Sequence, residues 1–158
     1  MIWSAPLIEG ARADEAELLA AIHRDAFQRT WSAHDFAMLM RQPNVFALVA
    51  RQTSLFGKRR VAGFVLVRFA ADEAEILTIA VRPLLRNRGV GRLLMQDVTR
   101  RLYREGIASL FLEVDKANAA AVALYSHLGF AVAGERRNYY AGAKEGDGSA
   151  LVMRLQVR

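Results

Sequence analysis

The spacing of apolar positions switches repeatedly between the helical period and the strand period along this chain. Ile2–Ile8 is a short apolar run that reads as a strand. Leu18, Leu19, Ile22 and Phe27 then recur at helical spacing within Ala11–Phe27, with acids early and Arg24 and Arg29 late, as the helix dipole favours. A second helix is expected over Trp31–Met40, with Ser32 at the N-cap position and Pro43 beyond its end. Val45–Arg51 and Arg60–Phe69 are strand-like, and the loop between them contains Gly57 and Lys58, which predicts a hairpin. A turn at Ala71–Glu73 leads into a further strand, Glu75–Val81. Arg82–Arg88 is a loop, and Gly89–Glu105 is a helix whose stripe is Val90, Leu94, Val98 and Leu102, closed by Gly106. Ala108–Val114 is a strand and Ala117–Leu128 a helix closed by Gly129. Phe130–Gly134 and Ala150–Val157 complete the set as a strand pair, separated by a glycine-rich loop, Ala141–Ser149.

This order predicts an α+β fold, antiparallel strands first and a central β-α-β unit from Glu75 to Val114. At 158 residues, a single domain spanning 1–158 is expected, large enough for a real core. A hydrophobic fraction of 53% against 24% charged excludes a disordered chain. No run reaches the roughly 18 apolar residues of a membrane span, and Met1–Gly10 has no basic segment before an apolar one, so a cytoplasmic protein without membrane attachment is expected. The chain has no cysteine, which excludes disulfides, thiolate metal sites and a cysteine nucleophile. His23, His34 and His127 are scattered without ligand spacing, so no metal site is expected.

Charge narrows the search. The 22 Lys and Arg against 16 Asp and Glu give a net charge of +6. Between residues 82 and 104 stand seven arginines and one acid, Asp97, so this segment carries the whole excess and the rest is neutral. Within it, Arg86-Asn87-Arg88-Gly89-Val90-Gly91-Arg92 lies directly between a strand and a helix. A helix N-terminus presents unpaired N–H groups and a partial positive charge, glycines let backbone approach a phosphate closely, and cations gathered there require an anion. Solvated arginines beside an ordinary glycine pair would explain the segment equally well. A dinucleotide site is disfavoured, because Leu94 occupies the third glycine position and the loop is long and basic; a Walker loop lacks its Gly-Lys-Ser/Thr. A basic nucleic-acid-binding module built on residues 82–104 lacks a helix-turn-helix partner and interleaved aromatic residues.

The third reading of the loop is a site for the pyrophosphate of coenzyme A. Arg86-x-x-Gly89-x-Gly91, with Pro83 before it and Arg92-Leu93-Leu94 after it, resembles the acyl-CoA signature of the GNAT family of N-acetyltransferases. Leu110–Val114, Asn118–Ala121, Ala123-Leu124-Tyr125, Leu128-Gly129-Phe130 and Arg137-Asn138-Tyr139-Tyr140 are similar to the RimI-type ribosomal-protein-alanine branch of that family. The resemblance covers roughly residues 75–140 and implies a GNAT-like mixed, mostly antiparallel sheet with helices on both faces. It implies acetyl-CoA as co-substrate, held by Arg86, Asn87, Arg88, Gly89, Val90, Gly91 and Arg92, by Asn118 and Tyr125, and by backbone of Ile79, Ala80 and Val81. That last strand is expected to splay from Ala108–Val114, with the Val81 N–H as an oxyanion donor.

Two side chains carry the expected acid–base chemistry. Phe111 and Glu113 point to one face of their strand, and a carboxylate beside Phe111 would be partly desolvated, which favours its neutral form. An acid paired with an arginine at a strand end is the competing reading; the resemblance implies the base. Tyr125 shares a helix face with Asn118, seven residues earlier, and a buried core tyrosine or an Asn118 helix cap would explain each alone. The resemblance makes Tyr125 the proton donor. Trp31, Glu75, Tyr139 and Tyr140 are candidate acceptor-binding residues, each also ordinary as core or rim, and Asp72, Glu73, Glu75 and Glu113 could form an acidic groove for a basic ribosomal protein. Thr30 stands where the family has proline before Trp-Ser, and Asp147-Gly148-Ser149 replaces an acidic pair, so the acceptor is less determined than the chemistry. The expected activity is acetyl transfer to a protein N-terminal α-amine, with a lysine side chain, another N-terminus or a small amine as alternative acceptors.

Overall fold

The computed structural model describes residues 1–140 and 146–158; most of the expected glycine-rich loop at 141–149 lies outside them. Seven strands form one mixed, mostly antiparallel sheet: β1 (Leu7–Gly10), β2 (Val45–Thr53), β3 (Arg59–Ala70), β4 (Glu73–Val81), β5 (Ser109–Asp115), β6 (Ala131–Arg136) and β7 (Ala150–Gln156). Their order is β1-β2-β3-β4-β5-β7-β6. The helices are α1 (Ala16–Ala26), α2 (Ala33–Met40), α3 (Val90–Arg104) and α4 (Ala119–His127). The chain groups into two compact units, Met1–Arg68 with Leu77–Arg101, and Phe69–Ile76 with Leu102–Arg158.

In the first unit the sheet is covered on both faces, which is why β2 and β3 read as near-continuous apolar runs. Val45, Ala47, Val49, Phe64 and Leu66 pack with Leu19 and Ile22 of α1 and Phe36 of α2 in one core. Phe46 and Val65 face the other way, and the Arg101 guanidinium of α3 lies 4.0 Å from the Phe46 ring centroid. The α3 stripe is buried as its spacing predicts, with Val90 at 3% and Leu94 and Val98 at 0% exposure.

Two expected elements shift. The first strand begins at Leu7 instead of Ile2: Ile2 is exposed, and Trp3 makes only an isolated bridge to Ser54. The helix expected from Ala11 starts as a 3-10 turn at Ala13–Glu15. Here Glu15 turns inward: its carboxylate takes two Arg51 N–H bonds, at 2.7 and 2.5 Å, and the Arg12 N–H at 2.7 Å. Ser32 caps α2 as predicted, accepting from the Asp35 N–H while Asp35 accepts from Ser32 N–H.

In the second unit β5 pairs with β7 over its whole length, and β6 adds to the far side of β7. The parallel ladder between β4 and β5 comprises Glu73↔Ser109, Ala74↔Leu110 and Glu75↔Phe111 and stops there, while both strands run on. Leu110, Leu112 and Val114 form the buried face of β5, and Phe111, Glu113 and Asp115 lie on the more open one.

Candidate active site

The arginine- and glycine-rich loop belongs to the first unit. Pro83–Leu85 forms a 3-10 turn, Leu85 is buried, and Arg86, Asn87, Arg88 and Gly89 are exposed before Val90 is buried again. Buried residues on either side therefore fix an exposed loop whose backbone is unusual at two points: Asn87 has φ 61° and Gly89 φ 81°. A side chain at Gly89 would meet open space, but its left-handed conformation disfavours any L-residue with a branched Cβ. Leu93 N–H bonds Gly89 O at 3.0 Å as the first turn of α3 closes, so the preceding helical N–H groups have no intrahelical acceptor. Gly89→Val is expected to weaken acetyl-CoA binding about 10- to 100-fold and, because valine is strained in the left-handed conformation, to lower the thermal midpoint by a few degrees. Calorimetric titration measures this; wild-type affinity in the variant would overturn the loop's role.

The arginines divide by partner. Arg82 Nε donates to Val61 O at 2.7 Å, which ties the loop entrance to β3. Arg60 of β3 was not visible as a site residue in the sequence. Burial, then the nearby charges of Arg88 and Arg82, push its guanidinium below the usual arginine range. Its own contacts are with Gln52, whose Oε1 accepts from Arg60 Nε at 2.9 Å, and with the Trp3 ring, whose centroid lies 4.0 Å away. Arg100 pairs with Asp97 one turn away, and Arg101 covers Phe46, so both have local partners.

Ile79, Ala80 and Val81 occupy the end of β4, where Gly63 of β3 makes room for them. A Cβ at Gly63 would stand 2.6 Å from Ala80 O and 3.2 Å from Val81 Cα. Trp31 lies in an aromatic cluster of this unit: its ring stacks on the buried His23 with centroids 5.1 Å apart, and its backbone N–H donates to His23 Nδ1 at 3.4 Å. Burial lowers the His23 pKa, which keeps the ring neutral and able to accept.

The acid–base candidates belong to the second unit. Glu113 shares the more open face of β5 with Phe111. Its side chain is 30% exposed, and its Oε1 accepts from Arg136 Nη1 at 2.7 Å. The strand-end ion pair is thus the observed state, formed across β7 from an arginine that the sequence reading passed over. Glu75 stands opposite Phe111 in the parallel ladder, on the same face as Glu113.

Tyr125 is 7% exposed, with its ring centroid 5.9 Å from that of Phe130. Burial, then Tyr140 nearby, pushes its phenol up to about 12. Tyr140 is also raised to about 12, by burial first and then by Tyr139, Asp115 and Glu113. Tyr139 and Tyr140 meet edge to face at 5.0 Å, and Arg136 lies 4.2 Å from the Tyr139 ring centroid. The fold therefore gathers Glu113, Arg136, Tyr139, Tyr140 and Tyr125 in one unit. Asn118 precedes α4 as its exposed N-cap, the capping alternative left open by the sequence, with its Oδ1 accepting from Ala121 N–H at 3.2 Å.

The seven-stranded mixed sheet, with a glycine- and arginine-rich loop between β4 and α3, is the fold of acyltransferases of the GNAT class. The model of the acetyltransferase (GNAT) family matches residues 15–130, and the chain belongs to that family, which uses acetyl-CoA. The chain is 43% identical over 98 residues to the [ribosomal protein bS18]-alanine N-acetyltransferase of Salmonella typhimurium. The match spans 62% of this chain and 66% of that relative, just under two thirds of its length. The crystal structure of the ribosomal-protein-S18-alanine N-acetyltransferase from Escherichia coli is similar at a TM-score of 0.83 and 32% identity, over 96% of this chain and 94% of that one. A structure of Arabidopsis thaliana NAA60 in complex with acetyl-CoA shares the fold, at 17% identity and a TM-score of 0.80, over 96% of this chain and 98% of that one.

Proposed function

We propose that this protein acetylates the N-terminal α-amine of a protein, with the N-terminal alanine of a bS18-type ribosomal protein as its acceptor. The observation that carries this reading is the 43% identity to a bS18-alanine N-acetyltransferase. The basic loop fits an acyl-CoA: Arg86, Arg88 and Arg92 surround a left-handed glycine and unpaired helix N–H groups, a donor set suited to a pyrophosphate. Backbone of Ile79, Ala80 and Val81 is assigned to the pantetheine arm, with the Val81 N–H as the carbonyl's donor. Asn118 is assigned a cofactor contact beyond its capping bond.

Acetyl-CoA supplies an activated acetyl group, and the protein's own residues manage two protons. An α-ammonium has a pKa of roughly 7.7–8.0, so Glu113 needs only to accept a loosely held proton through its second oxygen. Tyr125, with its phenol near 12, stays protonated at any working pH and serves as the donor to the leaving sulfur. Against a thiol in water, near ~8.5, full transfer is uphill by roughly 3–4 pH units. The burial that raises the phenol also raises a thiol held in the same surroundings, which narrows that gap. Transfer is assigned as direct, and without cysteine the chain forms no thioester intermediate of its own. Trp31, Glu75, Tyr139 and Tyr140 are assigned to the acceptor. The test is which amine of a peptide panel becomes acetylated, with the N-terminal alanine expected.

A further inference from the structure

Glu113 cannot be understood without the arginine that holds it. Arg136 lies on β6, two strands away, and reaches Glu113 across β7. The register explains how: Glu113 stands opposite Val152, Val152 opposite Gly134, and Arg136 is two residues beyond Gly134 on the same strand face. Gly134 has no side chain to obstruct the guanidinium. Neighbouring acids have other partners. Asp115 Oδ1 accepts from Ala117 N–H at 2.9 Å, and Glu135 pairs with Lys116 at 3.1 Å.

The guanidinium is itself held. It lies over Tyr139, Tyr139 meets Tyr140 edge to face, and the Tyr140 N–H is bonded to Gly148 O at 2.7 Å. A ring, a cation and a carboxylate are thus stacked in sequence on the open face of the second unit.

We infer that Arg136 is a positioning residue for the reaction: it occupies Glu113 Oε1, locks the carboxylate in one rotamer, and leaves Oε2 to receive the acceptor's proton. This rests on the reading of Glu113 as the base. The Arg136 side chain is 54% exposed, so solvent screens the pair and its contribution to stability is small. Arg136 also repels an incoming ammonium, so its presence orients the base at some expense of acceptor affinity. A purely structural arginine would have a different signature, because its loss would lower stability and weaken binding of both substrates together.

The test is a double-mutant cycle, read as kcat and KM on the peptide that the wild type acetylates fastest. Arg136→Met keeps the aliphatic stem over Tyr139 and should lower kcat about 10-fold, with acceptor KM unchanged or lower and acetyl-CoA affinity and thermal midpoint retained. Arg136→Lys should recover part of kcat. Glu113→Gln alone should cost about 10²-fold or more, and adding Arg136→Met to it should change kcat less than two-fold. Penalties that multiply, or an Arg136→Met effect seen only in KM or stability, would overturn the inference. The acceptor reading fails separately, if the fastest peptide does not begin with alanine, and the cycle still reads Arg136 on that peptide.

Discussion

Tyr125→Phe should lower kcat by about 10²-fold or more while acetyl-CoA affinity stays at the wild-type value. The ring is enclosed in the second unit and packs near Phe130, so phenylalanine fills the same volume and only the hydroxyl is lost. The wild-type phenol, near 12, remains protonated through the neutral and mildly basic range. Its ionisation therefore should not produce a falling limb in kcat below about pH 10. Pre-steady-state and steady-state rates on an accepted peptide measure the first effect, and unchanged turnover would remove Tyr125 as the acid.

Arg51→Met should destabilise the fold by roughly 3 kcal/mol at pH 7, because it leaves the buried Glu15 carboxylate without its arginine. Glu15 has a side chain only 5% exposed, and its carboxyl is held down from 4.5 to about 2, mainly by the Arg51 hydrogen bonds. A depressed carboxyl stabilises the fold above its unfolded value and loses that contribution as pH falls. Here the contribution is complete above about pH 4.5 and disappears toward pH 2. A gap of that size corresponds to about 3 kcal/mol, in line with leaving a buried carboxylate without its arginine. The difference between wild type and variant in urea denaturation should therefore be large at pH 7 and shrink toward pH 3. Equal midpoints at pH 7 would show that the pair contributes nothing. Adding Glu15→Leu to the variant should restore most of the loss, because no buried unpaired charge then remains; Glu9, the other partner of Arg51, is half-exposed.

The sequence was most legible where one rule acted alone. β2 and β3 are buried on both faces, so continuous apolar runs between turn residues identified them, and the spacing-four stripe of α3 fell wholly inside the core. The loop between β4 and α3 was legible because glycines and arginines concentrate there for a local reason. Elements and partners set by distant contacts were not. Glu15 belongs by spacing to the first helix, but Arg51, on β2, draws it into a 3-10 turn. Glu113 was placed on the open face of β5 correctly, yet its neighbour is an arginine 23 residues later, brought near only by the β5-β7-β6 order. Asn118 was one residue outside its helix, where a side-chain cap and a helix-face contact look alike in sequence.

These contrasts bear on function. The candidate acid and base are residues the sequence displays, whereas the contacts of Arg136 with Glu113 and Tyr139 are made only by the fold. The most direct test of the central claim is mass spectrometry of a peptide mixture incubated with the protein and acetyl-CoA, with fragmentation locating the acetyl group. The mixture contains peptides beginning with Ala, Ser or Met and one with a blocked N-terminus and an internal Lys. Acetylation of the α-amine, fastest on the alanine peptide, is the predicted result. Acetylation confined to the lysine ε-amine would contradict it.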